Sequence, residues 1–181
     1  MNADGPSAGP LLLACALRVE AQALRAGAEA ARPQARLLRT GMGPQRARAG
    51  VGRALAQPEP APSALVYTGF CASVRSGIRP ADVLVATEVR DTVGTAAVFP
   101  QAERLAELLR GFGLSVHTGV LWSADHVVRG AERESLRRLG VAGVDMESAA
   151  ALRAVPAGLP TAAVRVVVDT LNSNFCARTP W

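Results

Sequence analysis

Apolar residues in this chain fall into short unbroken runs, separated by stretches whose apolar positions recur at helical spacing. Pro10 to Leu17 is the first run, and a run without in–out alternation predicts a strand buried on both faces. It passes directly into Arg18 to Gly27, a predicted helix with glycine as its stop. Ala35 to Arg39 predicts a short strand that enters the glycine turn Thr40-Gly-Met-Gly-Pro44, followed by a helix over Gln45 to Ala56. Gln57 to Ser63, with three prolines, is a connecting loop. Beyond it the pattern predicts strands over Ala64 to Thr68, Asp82 to Arg90, Ser115 to Trp122 and Thr161 to Val168. Helices are predicted over Ala102 to Arg110, Ala131 to Leu139 and Met146 to Ala154.

Strands alternating with helices, with glycine at the turns, specify the α/β class: a three-layer sandwich in which a twisted, mainly parallel or mixed sheet is flanked by helices. Residues 10–169 read as a single domain, preceded by a disordered leader over 1–9 and followed by an irregular tail over 170–181. In such sheets ligands bind beyond the carboxyl ends of the strands. The polar residues at those ends are Arg18 and Glu20, Thr40 to Gly43, Thr68 and Gly69, Glu88 and Arg90, Ser123 to His126, and Asp169.

Composition narrows the class. With 181 residues, 49% of them hydrophobic, the chain can bury the core of one globular domain. All of its basic residues are arginine, and the net charge of +5 is spread along the chain without aromatic interleaving. That distribution argues against a nucleic-acid partner. The absence of lysine excludes a Walker-type phosphate loop, and the Gly41 and Gly43 turn is not a dinucleotide fingerprint. Cys15, Cys71 and Cys176 show no metal or redox spacing, and His117 and His126 have no partner at ligand spacing. No metal or cofactor is expected. A reduced, cytoplasmic setting is expected, and the Leu11 to Leu17 run is too short to span a bilayer.

Two acids stand out chemically. Glu147 lies at the mouth of a small-residue helix in Gly143-Val-Asp-Met-Glu-Ser-Ala-Ala150, and Asp169 ends the apolar run that starts at Ala162. A carboxylate held out of water is costly unless it is paired or used. Two such groups at the ends of sheet elements can hold a ribose and move a proton at its leaving group. The same residues serve equally as a helix cap and a turn residue. Glu20, one turn into the first helix, can polarise water or simply complement the helix dipole.

Seven stretches, in order, resemble the nucleoside phosphorylase and nucleosidase superfamily. They are Ala16-Leu-Arg-Val-Glu20, Arg39-Thr-Gly-Met-Gly43, Tyr67-Thr-Gly69, Arg79 to Arg90, Ser123-Ala-Asp125, Val144-Asp-Met-Glu-Ser-Ala-Ala150 and Val164-Arg-Val-Val-Val-Asp169. Met-Glu-Ser-Ala-Ala and Arg-x-x-x-Asp are the specific elements. The likeness is to the branch acting on 5′-substituted adenosines. The short gap between the first two strands looks more like the hopanoid-pathway, adenosylhopane-type nucleosidases than the methylthioadenosine ones.

The resemblance implies cleavage of a purine nucleoside at its N-glycosidic bond. Asp169 would protonate a ring nitrogen of the base, Glu147 would take the ribose hydroxyls with Met146 against the sugar, and Glu20 would position the water. An acid at a buried strand end can keep its proton long enough for that work. The resemblance also places Met42, Thr68, Gly69, Phe70, Ser123, Val127, Val128 and Arg165 around the substrate. Phosphorolysis in place of hydrolysis would recruit Arg18, Arg39 and Arg46, since a planar guanidinium suits phosphate. A nucleoside-binding relative without turnover is the alternative to an enzyme.

Three departures from the family pattern bear on this. Val127 stands where an aromatic often faces the purine, and Phe70 and Ala72 replace smaller residues. Residues 170–181 do not read as the long terminal helix of the family. An uncovered sheet face, partly lidded by Phe175 and Trp181 or covered by a second copy, is the consequence, so a homo-oligomer is expected.

Overall fold

The computed structural model describes residues 9–31, 35–57 and 60–170. The expected tail with its Phe175 and Trp181 lid, Cys176, and residues 1–8 of the expected leader lie outside the described residues. Strands β1 (Leu11–Cys15), β2 (Ala35–Arg39) and β3 (Ala64–Ser73) alternate with helices α1 (Arg18–Ala30) and α2 (Pro44–Leu55). Then come β4 (Val83–Asp91), β5 (Gly94–Val98), α3 (Ala102–Gly111), β6 (Val116–Ser123), α4 (Gly130–Arg138), β7 (Val141–Asp145), α5 (Ser148–Leu152) and β8 (Thr161–Asp169). The chain is a mixed α/β fold with a central sheet flanked by helices, as its apolar runs imply.

The sheet runs β2-β1-β3 in parallel, and β3 then pairs with β8 in parallel along most of its length. Strand β8 pairs antiparallel with β4, β4 parallel with β6, and β6 parallel with β7. Strand β7 returns to the far end of β3 through Ala72 and Val144. Strands β3, β8, β4, β6 and β7 therefore close into a ring, with β1 and β2 as a tab on one side and β5 as a tab on the other. Register shifts at Cys71/Ala72 on β3, at Ala86/Glu88 on β4 and at Val120/Leu121 bend the strands enough to meet.

Two strands were not foreseen from the pattern. Strand β7 is five buried residues holding Gly143, too short and too small to look like a sheet element. Its glycine is required: a Cβ at Gly143 would sit 2.5 Å from Leu84 Cδ2 on β4 and 3.5 Å from Cys71 Sγ on β3. Side chains from β4 and β3 close on the β7 backbone there. Strand β5 is mostly exposed and exists because it pairs with β4 as a hairpin. The last helix is shorter than predicted: α5 starts at Ser148, which leaves Met146 and Glu147 in the turn before it. Strand β3 runs five residues past Thr68, because its second half has partners on both sides.

The main core fills the ring and the space beneath α2 and α3, with Val51, Leu65, Tyr67, Leu84, Val85 and Val167 fully buried. A smaller cluster of Val74, Val128, Leu136, Val141 and Val144 seats α4. Both clusters lie below the carboxyl ends of β1, β7 and β8, which leaves those ends to shape a cavity.

Candidate active site

A cavity of about 270 Å³ opens at these strand ends, close to the lower size of sites for small organic ligands. Glu20, Asp145, Glu147 and Asp169 bring carboxylates to it, and Arg133 and His126 bring nitrogen. The rest of the wall is apolar, including Leu17, Met42, Phe70, Val127, Val128 and Met146. Glu20 thus shares one chamber with Glu147 and Asp169, two acids more than a hundred positions away in the chain.

The β1–α1 corner is built around Glu20. As the third residue of α1 it folds back on its own helix start, and Oε2 accepts the backbone N–H groups of Ala16 at 3.0 Å and Leu17 at 2.7 Å. Oε1 accepts the N–H of Phe70 on β3 at 2.7 Å. These bonds satisfy donors that a helix start leaves unpaired. They also tie α1 to β3 across Gly69, whose φ of +137° and lack of a Cβ allow the carboxylate to approach. A Cβ there would lie 2.5 Å from Glu20 Oε1 and 2.9 Å from Arg165 Nη1.

The β7–α5 corner is built on a buried ion pair. Arg165, 1% exposed on β8, donates through Nη2 to Asp145 Oδ2 and to Ser148 Oγ, and through Nη1 to the Thr68 carbonyl at 3.0 Å. Its guanidinium also stacks 4.8 Å from the Tyr67 ring centroid. Ser123 Oγ donates to Asp145 Oδ1 at 2.5 Å and accepts the Ala149 N–H at 3.1 Å. This network locks the turn that carries Met146 and Glu147. Glu147 itself is 8% exposed, and Oε1 accepts the N–H of Gly43 at the start of α2 at 2.9 Å. Burial, reinforced by the Asp145 charge, holds the Glu147 carboxyl above the ordinary glutamate range despite that bond.

Asp169, 1% exposed, accepts Arg133 Nη2 at 2.6 Å. At the rim, His126 bridges Asp125 at 2.7 Å and Glu132 at 2.9 Å. The Asp125 and Glu132 carboxylates push the exposed His126 imidazole up from its usual range. Among the described residues no three His, Cys, Asp or Glu side chains are placed to hold a metal ion.

Of the residues singled out in the sequence, Glu20, Met42, Phe70, Val127, Val128, Met146, Glu147 and Asp169 line the cavity. Arg165, Ser123, Thr68 and Gly69 lie behind its wall as the framework just described. Arg18, Arg39 and Arg46 are exposed and do not line it. Glu88 and Arg90, on β4, pair with each other at 2.5 Å away from it. Asp145 and Arg133 were missed. Asp145 sits inside the stretch already marked by its neighbours, and an acid that closes an apolar run was the available signal. Arg133 lies on a polar helix among other arginines, and no sequence pattern separates it from them.

A family model described as the phosphorylase superfamily matches residues 26–177. No curated protein matches the chain. Among solved structures, Helicobacter pylori MTAN superposes with a TM-score of 0.75 at 14% identity, over 88% of each chain. The futalosine hydrolase of Helicobacter pylori strain 26695 gives 0.76 at 14% identity, over 90% of this chain and 88% of that one. The 5′-methylthioadenosine/S-adenosylhomocysteine nucleosidase of Neisseria meningitidis, in complex with methylthio-immucillin-A, gives 0.72 at 22% identity, over 88% and 85%. At these identities the likeness is one of fold.

Proposed function

The chain belongs to the phosphorylase superfamily, and from that premise we propose that it cleaves the N-glycosidic bond of a purine nucleoside of the 5′-substituted adenosine type, releasing the base. The observation that carries this reading is the convergence of Glu20, Glu147 and Asp169 on one cavity. Glycosidic cleavage passes through an oxocarbenium-like state, which needs a proton for the leaving group and negative charge near the sugar. Asp169 gives its proton to a ring nitrogen as the C1′–N bond breaks and the bonding pair goes to the base. Glu147 accepts hydrogen bonds from the ribose hydroxyls, and Met146 packs on the sugar. A water held at Glu20 adds to C1′ and loses a proton.

Water, rather than phosphate, is the acceptor in this proposal, because Arg18, Arg39 and Arg46 lie off the cavity. The apolar wall of Leu17, Met42, Phe70 and Val127 favours an apolar 5′-substituent, such as one of the adenosylhopane kind. The proposal extends to a cytoplasmic homo-oligomer. The free, buried thiols of Cys15 and Cys71 favour a reducing compartment. Among the described residues no helix is long and apolar enough to cross a membrane. Phe112, Val93 and Leu139 are exposed apolar side chains. The test is chromatographic detection of free base from several 5′-substituted adenosines, with and without phosphate. Release without phosphate is expected. Release only with phosphate would convert the reaction to phosphorolysis, and none in either condition would end the enzyme reading.

A further inference from the structure

Asp169 has a partner with a design of its own. Arg133 reaches from α4 to the end of β8, where Nη2 donates to Asp169 Oδ2 at 2.6 Å and Nη1 donates to the Thr170 carbonyl at 3.2 Å. The pair is shut away, with the Arg133 side chain 13% exposed and that of Asp169 2%. Arg133 and Leu136 are three apart and so share a helix face. The turn that buries Leu136 therefore aims the guanidinium inward. Arg137 and Arg138 instead pair with Glu134 on the outside of the same helix.

Docking α4 alone would not call for this arrangement. Burying a guanidinium costs several kcal/mol of desolvation, and apolar residues dock a helix without it. The helix already has an apolar seat in Val128, Leu136 and Val141. Arg133 also borders the cavity, and its Nε–H is buried without a partner among the described residues. A guanidinium carried into the chamber at this cost, against the very acid that faces the ligand, points to the chemistry of that acid.

We propose that Arg133 is a positioning residue for bond cleavage: it fixes the carboxyl of Asp169 and stabilises the anion that Asp169 becomes on giving up its proton. The proposal rests on the nucleoside-cleaving reading above. In the step concerned, the C1′–N bond breaks with its electron pair passing to the base. The proton moves from Asp169 to a ring nitrogen, and the water oxygen bonds to C1′ while its proton leaves to solvent. Asp169 is then a carboxylate 2.6 Å from a guanidinium. The bond between them strengthens as charge develops, so its benefit falls on the transition state more than on the bound substrate. Losing it should lower kcat and leave KM nearly unchanged.

The test uses the full chain with Arg133→Gln, Arg133→Ala and Arg133→Lys, each checked by thermal melting and assayed for kcat and KM of base release. Arg133→Gln and Arg133→Ala are expected to lose about 10²-fold in kcat with KM within about threefold, and Arg133→Lys to recover part of the loss. Parent-like kcat in a folded Arg133→Gln overturns the proposal. So does a loss confined to KM, or a folded Arg133→Lys that is no better than Arg133→Gln. Failure of all three to fold makes Arg133 a docking residue and also overturns it. A parent protein that releases no base from any nucleoside sinks the functional reading and this proposal together. An active parent whose rate ignores position 133 sinks only the proposal.

Discussion

The two acid-bearing corners of the cavity are built in opposite ways. Glu20 receives three backbone N–H groups, from Ala16, Leu17 and Phe70, so both oxygens are engaged before any ligand arrives. Glu147 is as deeply buried yet takes one, from Gly43, and its carboxyl is pushed up by that burial. A carboxylate satisfied by backbone serves the fold as well as the chemistry. One left short of donors in a closed place is held against its own solvation, and ribose hydroxyls would supply what it lacks.

The harshest way to break the first corner is Gly69→Ala. The added methyl would meet Glu20 Oε1 at 2.5 Å and Arg165 Nη1 at 2.9 Å, and alanine would have to adopt a φ of +137°. Strain and overlap together should cost about 4 kcal/mol. Because Glu20 must move, the rate in the remaining folded protein should drop roughly a hundredfold or more. Denaturant unfolding and base release check the two halves. A Gly69→Ala protein as stable and active as the parent would show that the Glu20 corner tolerates rearrangement.

How much of this was legible depends on what carried the signal. Apolar runs announce strands, so β1, β4, β6 and β8 could be placed mainly from their Leu, Val and Ala, and the short, partly exposed β2 from its leucine pair. Glu20 and Asp169 could be singled out because each follows or ends such a run, and Glu147 because it stands at the mouth of a small-residue helix. Strand β7 could not, since its place in the ring depends on a glycine that is small for the sake of Leu84, a contact between segments far apart in the chain. Arg165 read as a ligand contact because it sits in a motif. Its guanidinium in fact turns into the protein, toward Asp145 and Ser148, which no local pattern specifies. Arg133 was invisible for the same reason: pairing with Asp169 is a property of how α4 docks, and α4 is polar nearly all round.

Glu147→Gln sharpens the contrast between the corners, because its effects on rate and on stability should have opposite signs. Glutamine keeps an oxygen for the Gly43 N–H and removes the buried charge. A folded-state carboxyl held above its ordinary value of 4.5 contributes stability that is present at low pH. That stability is lost as pH rises through the raised value. At neutral pH the ionised group is therefore a burden, and the variant should melt higher than the parent. Base release should fall by about 2–3 kcal/mol of transition-state stabilisation as the charge on the ribose side disappears. A variant both less stable and fully active would make Glu147 a helix-cap residue.

The smallest effect belongs to a third acid, far from the cavity, that completes the comparison. Asp91 ends β4, accepts both Nη groups of Arg153 just after α5, and takes the Val93 N–H at 2.8 Å. Its hydrogen bond from Arg153 is the main reason its carboxyl lies below the ordinary aspartate value of 3.8. The linkage is therefore the reverse of that at Glu147. Asp91 contributes stability that is present above the unfolded-state value and is lost as pH falls through the lower, folded one. The pair is partly open to water, with side chains 27% and 16% exposed, so Asp91→Asn should cost only about 1 kcal/mol at neutral pH. That deficit should shrink toward nothing as the parent's own carboxyl becomes protonated below 3.8. Unfolding midpoints of parent and variant across the acid range read this directly. A gap that stays constant down to the lowest pH at which both fold would mean that asparagine disturbs the β4–β5 turn itself, through the Val93 and Gly94 N–H groups, and that the charge on Asp91 contributes little.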